Sequence, residues 1–102
     1  IPGRARILML SGDLDYHSLD SVRDVFTQSI LPGRIHIVDL SSLRFLDSSG
    51  LGFLLAVARR LAQEEGRLIL MSPPPQIEKL LRTTGVHRLL KVAYSEAEAL
   101  QP

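Results

Sequence analysis

The stretch Phe45-Leu46-Asp47-Ser48-Ser49-Gly50-Leu51-Gly52 (FLDSSGLG) joins a run rich in β-branched residues to a run with helical periodicity. A strand-to-helix junction presents free backbone N–H groups and the positive end of a helix dipole. A serine there can cap the helix, attack a substrate or carry a phosphate. Upstream, residues 34–40 (RIHIVDL) are nearly continuously apolar at Ile35, Ile37 and Val38, as in a central strand covered on both faces. Downstream, Leu51, Leu54, Leu55, Ala58, Leu61 and Ala62 mark a wide core stripe on a helix over residues 51–64, which Gly66 is placed to end.

The same alternation extends in both directions. Residues 5–10 (ARILML) read as a buried strand closed by Ser11-Gly12-Asp13. A helix follows, with Ser18 as N-cap, Asp20 in the first turn and Leu19, Val22, Phe26 and Ile30 at helical spacing, until Pro32-Gly33 stops it. Residues 67–71 (RLILM) form a third strand. Ser72 and the prolines at 73 to 75 cannot extend a ladder and suit entry to a helix over 76–84, closed by Gly85. Residues 89–93 fit a short edge strand, and Ser95-Glu96-Ala97-Glu98 opens a final short helix. Alternating β and α elements predict an α/β fold with a largely parallel sheet and right-handed crossovers. At 102 residues there is room for one domain, 1–102, with one core.

Composition narrows the function. A 45% hydrophobic, 23% charged chain with a formal net charge of +1 has the balance of a soluble globular protein and no nucleic-acid footprint. Arg59-Arg60 is the densest basic pair and reads as a solvated helix face. With no cysteine there is no disulfide, thiol nucleophile or thiolate metal site, which fits an intracellular protein. No apolar run approaches the ~20 residues that span a bilayer, and the N-terminus lacks a signal-peptide pattern. Ile1 is not an initiator methionine, so the chain is expected to be trimmed or cut from a longer protein.

The motif does not fit enzyme chemistry. A nucleophile elbow reads Gly-x-Ser-x-Gly, whereas Asp47 precedes Ser48 and no glycine lies two residues before either serine. His17, His36 and His87 form no spaced pair with each other or with a carboxylate cluster, so no metal site is expected; His36 reads as a surface or sheet-face residue and His17 as a turn residue. Gly50 and Gly52 lack a Walker lysine and a third glycine in dinucleotide spacing, and they read as devices for a tight turn and close packing. Taken alone they leave mononucleotide binding open.

Gly12-Asp13-Leu14-Asp15 (GDLD), the strand and loop over residues 37–45 (IVDLSSLRF) and Asp47-Ser48-Ser49-Gly50-Leu51-Gly52 (DSSGLG) resemble the STAS domain, and within it the bacterial anti-sigma-factor antagonists. The similarity continues through Ser72-Pro73, Arg82-Thr83-Thr84-Gly85-Val86 and Ser95-Glu96-Ala97-Glu98-Ala99-Leu100, nearly the whole chain. The resemblance implies a STAS-like single α/β domain with a mostly parallel sheet of four to five strands and flanking helices. It implies a cytoplasmic, non-enzymatic switch of stress response or sporulation. The first serine of the pair, Ser48, would be phosphorylated by a partner anti-sigma factor with serine kinase activity and restored by a serine phosphatase, with no cofactor. The unphosphorylated form would bind the anti-sigma factor and free the sigma factor.

On the same resemblance, Asp15, Asp47, Ser49 and Gly50 surround the phosphosite, and Asp13, which stands where the family often has glutamate, joins Asp15, Ser48, Leu51 and Gly52 in meeting the partner. Gly-Asp turn formation is the competing account of Asp13 and Asp15. The alternative implied by the family is a non-phosphorylated module of a lipid-transport, anion-transport or sensory complex, with Ser48 as a helix N-cap. The family usually has a further N-terminal strand, where this chain has Ile1-Pro2-Gly3-Arg4, and its usual single proline is here a triple one. On a helix over 51–64, Phe53 and Val57 fall outside the core stripe and align with Arg60 and Glu64. They would either meet the partner, together with Arg60, or lie under another helix.

Overall fold

The structure, a computed structural model, describes residues 5–101. In chain order the elements are β1 (Ala5–Leu14), α1 (Leu19–Ser29), β2 (Ile35–Leu46), α2 (Ser48–Gln63), β3 (Arg67–Met71), α3 (Pro75–Thr83), a 3-10 turn (Val86–Arg88), β4 (Lys91–Ala93) and α4 (Glu96–Ala99). The four strands pair in the order β1-β2-β3-β4, and every pairing is parallel. The α/β alternation read from the sequence is therefore present, with four strands among the described residues. The question of a further N-terminal strand falls on residues 1–4, outside the described residues.

Successive strand residues point to opposite faces, so Val38 and Leu40 of β2 share a face with Leu68 and Leu70 of β3. There they meet Phe26 of α1, Leu54 and Leu61 of α2 and Leu81 of α3 in the main core. Ile37 and Ile69 point the other way and pack with Ala93 of β4 and Ala99 of α4. Three helices thus cover one face and the short α4 part of the other. Fully burying a leucine or isoleucine stabilises by about 1.5–3 kcal/mol, so the three-helix face carries most of the hydrophobic stabilisation.

The first two strands run farther than local patterning predicts. β1 continues through Ser11-Gly12-Asp13 to Leu14 instead of closing at Leu10, and β2 continues to Leu46 through residues read as loop. The two extensions pair with each other. Register shifts between Met9 and Ser11 and between Gly12 and Asp13 absorb the irregularity, and Gly12 at φ 75° supplies the backbone freedom. Leu14 then lies opposite Leu46, both buried.

The helix α2 begins at Ser48, three residues before its apolar stripe, and its buried face is rotated from the expected one. Gly50, Leu51, Leu54, Val57 and Leu61 are buried, whereas Leu55 and Ala58 are half-buried and Ala62 is exposed. The expectation that Phe53 and Val57 stand outside the core is corrected. Val57 retains 7% exposure and belongs to the main core, and Phe53 is half-buried against Phe26 of α1, ring centroids 5.2 Å apart at 78°. The reason is tertiary: α1 packs beside α2 and covers that flank. Helix α3 ends at Gly85, which takes φ 81°, and the 3-10 turn that follows buries Val86, an element that periodicity did not reveal.

Candidate functional site

The DSSGLG motif sits where β2 hands over to α2. Asp47 is the N-cap of α2: its Oδ1 accepts a hydrogen bond from the Gly50 amide at 2.9 Å. Its Oδ2 accepts from the Tyr16 amide in the β1–α1 loop at 3.2 Å, and its own amide donates to the Leu14 carbonyl at 3.3 Å. The Gly50 amide foremost, helped by the Tyr16 and Ser49 amides, holds the Asp47 carboxyl below the usual carboxylate range against a smaller opposing effect of desolvation. A carboxylate is therefore present at neutral pH beside Ser48.

Ser48 is the first helical residue, and it is exposed. The reading of Ser48 as N-cap is corrected, because Asp47 holds that position and satisfies the amide a capping serine would reach. No intrachain hydrogen bond of the Ser48 or Ser49 hydroxyl is found among the described residues. Ser49 is half-buried. Gly50 is required by packing: a Cβ there would lie 2.5 Å from the Leu14 carbonyl oxygen and 2.8 Å from the Leu46 side chain.

The two acidic residues of the GDLD stretch have different surroundings. Asp15 Oδ1 accepts from the amides of His17 and Ser18, each at 3.0 Å, which shapes the turn into α1. Asp13 is exposed and pairs with Arg44 of β2 at 3.1 Å. Ser18 occupies the N-cap position of α1 without a side-chain cap; its hydroxyl accepts from the Asp15 amide and donates to the Asp13 carbonyl. The Tyr16–Asp47 bond brings the Asp15 turn against the motif, so Asp15, Asp47, Ser48, Ser49 and Gly50 form one neighbourhood.

Of the residues expected to face a partner, Gly52 and Arg60 are exposed, while Leu51 and Val57 are buried at 7% each. Leu51 and Val57 are thus core residues, because the stripe of α2 turns them toward the sheet. Sequence reasoning missed Tyr16, 72% exposed and edge-on to His17 beside the motif, and the Asp13–Arg44 pair. The one available signal was that Asp, like Ser, is a strong N-cap directly before a helix. His36 lies on the covered face with no exposed surface, its Nε2 accepting from the Leu31 amide and its Nδ1 donating to the Arg34 carbonyl. Among the described residues no acidic or imidazole cluster could hold a metal ion, and no helix is long and apolar enough to cross a membrane.

Comparison with known proteins agrees with this architecture. An anti-sigma F factor antagonist of Paenibacillus polymyxa is 34% identical over 96 residues, 92% of this chain and 82% of the relative. The solved structure of the anti-sigma factor antagonist SpoIIAA in its unphosphorylated form matches with a TM-score of 0.74 at 29% identity, covering 95% of this chain and 85% of that one. The phosphorylated form of the Bacillus cell fate determinant SpoIIAA matches at 0.67 and 31%, covering 94% and 87%. The fold is shared more widely: a sulfate transporter family protein from Wolinella succinogenes superposes with a TM-score of 0.76 at 16% identity, covering 94% and 81%. A family model described as the STAS domain matches residues 1–99, so with its parallel sheet and motif-bearing helix start this chain belongs to the STAS domain family.

Proposed function

We propose that the chain is an anti-sigma factor antagonist switched by phosphorylation of Ser48. The observation that carries this reading is the division of labour at the start of α2: Asp47 caps the helix, so the exposed Ser48 hydroxyl has no structural duty and is open to a kinase. Relatives at up to 34% identity include anti-sigma factor antagonists, and the similar structures include SpoIIAA in both unphosphorylated and phosphorylated forms. The partner is an anti-sigma factor with serine kinase activity, and a serine phosphatase resets the switch.

In the forward step the Ser48 oxygen attacks the γ-phosphorus of ATP, the bond to the β-phosphate oxygen breaks, ADP leaves and the hydroxyl proton passes to a base on the kinase. The product adds about −1.5 to −2 charge next to the ionised Asp47. Free amides at the helix N-terminus tolerate that charge, so the fold survives. A partner surface matched to a neutral hydroxyl does not, because like charge and desolvation then act against the interface. Unphosphorylated protein binds, and phosphorylated protein is released.

Incubation with ATP and a kinase-type anti-sigma factor, followed by peptide mass spectrometry, tests the assignment. One phosphoryl group on Ser48 is expected. Ser48→Ala should bind the anti-sigma factor constitutively with an unchanged thermal midpoint, and Ser48→Glu should bind weakly. Phosphate mapping to Ser49, or equal binding by the Ala and Glu variants, rejects Ser48 as the switch.

A further inference from the structure

Between α1 and α2 runs a concave groove of about 460 Å³, within the size range of small-molecule sites. Its floor is apolar: Phe26 comes from α1 and Ile30 from the C-cap that ends it, Phe53 and Val57 from α2. Its two cationic side chains stand on different helices. Arg23 of α1 lies with its guanidinium carbon 5.9 Å from the Phe53 ring centroid, and Arg60 of α2 is eleven residues beyond Ser49, about 16 Å along the helix. Both arginines have acidic neighbours, Asp20 and Glu64. The Arg23–Asp20 pair, at 3.1 Å, is exposed and of the kind that an incoming anion exchanges at little cost, whereas Arg60 stands 4.0 Å from a half-buried Glu64.

Gly52 is the second element of the argument. Glycine inside a helix costs about 1 kcal/mol relative to alanine, so its presence needs a reason. Gly50 has one in the Leu14 carbonyl, and Gly52 does not: its φ is not in the left-handed region, and an added Cβ would meet no atom within 4 Å. What its missing side chain does is keep the groove open, since Gly52 lines it one helical turn before the small, exposed Ala56. Both positions line the groove, so a bulky residue at either would take up space in it.

We propose that this groove binds a single-headed amphipathic anion of the medium-chain carboxylate class, its head at Arg23 and Ser49 and its tail along Gly52 toward Arg60. The unpartnered Ser49 hydroxyl and the Arg23 guanidinium supply donors at the head end, and a charge-assisted bond to a carboxylate is among the stronger polar contacts. The edge-on Phe26–Phe53 pair and Val57 give the tail an apolar floor. The site is a ligand site in its own right and does not depend on phosphorylation of Ser48.

Titration of the full chain with sodium decanoate below its micelle concentration tests this, followed by amide chemical shifts and by calorimetry. Saturable one-to-one binding is expected, with shifts confined to α1 and α2. Arg23→Gln and Gly52→Leu should each weaken it by about tenfold or more, while Arg59→Gln, outside the groove, should not. Decanol should bind markedly less tightly than decanoate. Absence of saturation, equal binding of decanol, shifts on the opposite sheet face, or undiminished binding by a folded Gly52→Leu protein would each overturn the proposal. So would shifts in the groove that appear only with an anti-sigma factor, which would make it a protein interface. The Ser48 assignment stands or falls separately, because no kinase or partner enters this experiment.

Discussion

The carboxylate of Asp47 accepts from the amide of Gly50, three residues on, and from the amide of Tyr16, thirty-one residues back in the chain. One side chain therefore both starts α2 and fastens the β1–α1 loop to it, and the serine that follows is left free. Because Asp47 does the capping, the phosphorylation proposed for Ser48 would leave the helix cap in place.

Replacing Asp47 with alanine should lower the thermal midpoint by about 4–8 °C, the effect of a lost cap in a domain of this size. The pH dependence has a definite sign. The folded carboxyl lies below its unfolded value, so its contribution is fully present above the unfolded value near 4 and is lost as pH falls through the folded one. Asp47→Ala should accordingly flatten the acid limb of a stability-versus-pH curve measured by urea unfolding. An unchanged acid limb would show that Asp47 is not held low.

Gly50 and Gly52 lie two residues apart on α2 and should respond in opposite directions to alanine. At Gly50 the new Cβ meets the Leu14 carbonyl, which the Asp47 amide holds in place, and a loss of about 1–3 kcal/mol is expected even after the gain in helix propensity. At Gly52 nothing opposes that gain, and stability should rise by up to about 1 kcal/mol. Denaturant midpoints of the two variants provide the comparison, and similar values would contradict the packing described here.

Val57→Ala should cost about 1–3 kcal/mol in the same assay, since Val57 belongs to the main core. A variant with wild-type stability and impaired partner binding would place Val57 back on the surface.

Burial above all pushes the His36 imidazole below its ordinary value of about 6.5; the charges of Arg6 and Arg34 act in the same direction and the carbonyls of Arg34 and Ser29 partly oppose them. The neutral ring suits its partners, because Nε2 must accept from Leu31 while Nδ1 donates to Arg34. The unfolded chain therefore binds the proton more readily. His36 stabilises the fold fully above pH 6.5 and progressively less as pH falls from there toward the lower folded value. Urea midpoints at pH 7.5 and 5.5 should differ in that direction, and Nδ1-protonated neutral histidine should be visible in nitrogen NMR spectra at pH 7. A ring that titrates at 6.5 in the folded protein would refute this account.

Local signals carried much of the architecture. Residues 67–71 fold as the expected strand because a four-residue apolar run over 68–71, between Gly66-Arg67 and the prolines, has few alternatives, and Gly85 ends α3 through a backbone angle that glycine adopts freely. The FLDSSGLG stretch likewise marked the junction of β2 and α2, although the helix begins at Ser48, three residues before the apolar stripe. Other features depended on residues far apart in the chain. Ser11-Gly12-Asp13 and residues 41–46 look like turn and loop when read alone, and they become strand only because each provides the other's hydrogen-bonding partner. The α2 stripe, read from spacing, was misplaced at Val57 and Ala62 because spacing gives a period, whereas the packing of α1 through Phe26 sets which side is covered. The Asp47–Tyr16 bond and the groove between the helices arise the same way: side-chain pattern is local, but the docking of one helix or loop on another is decided by the whole chain.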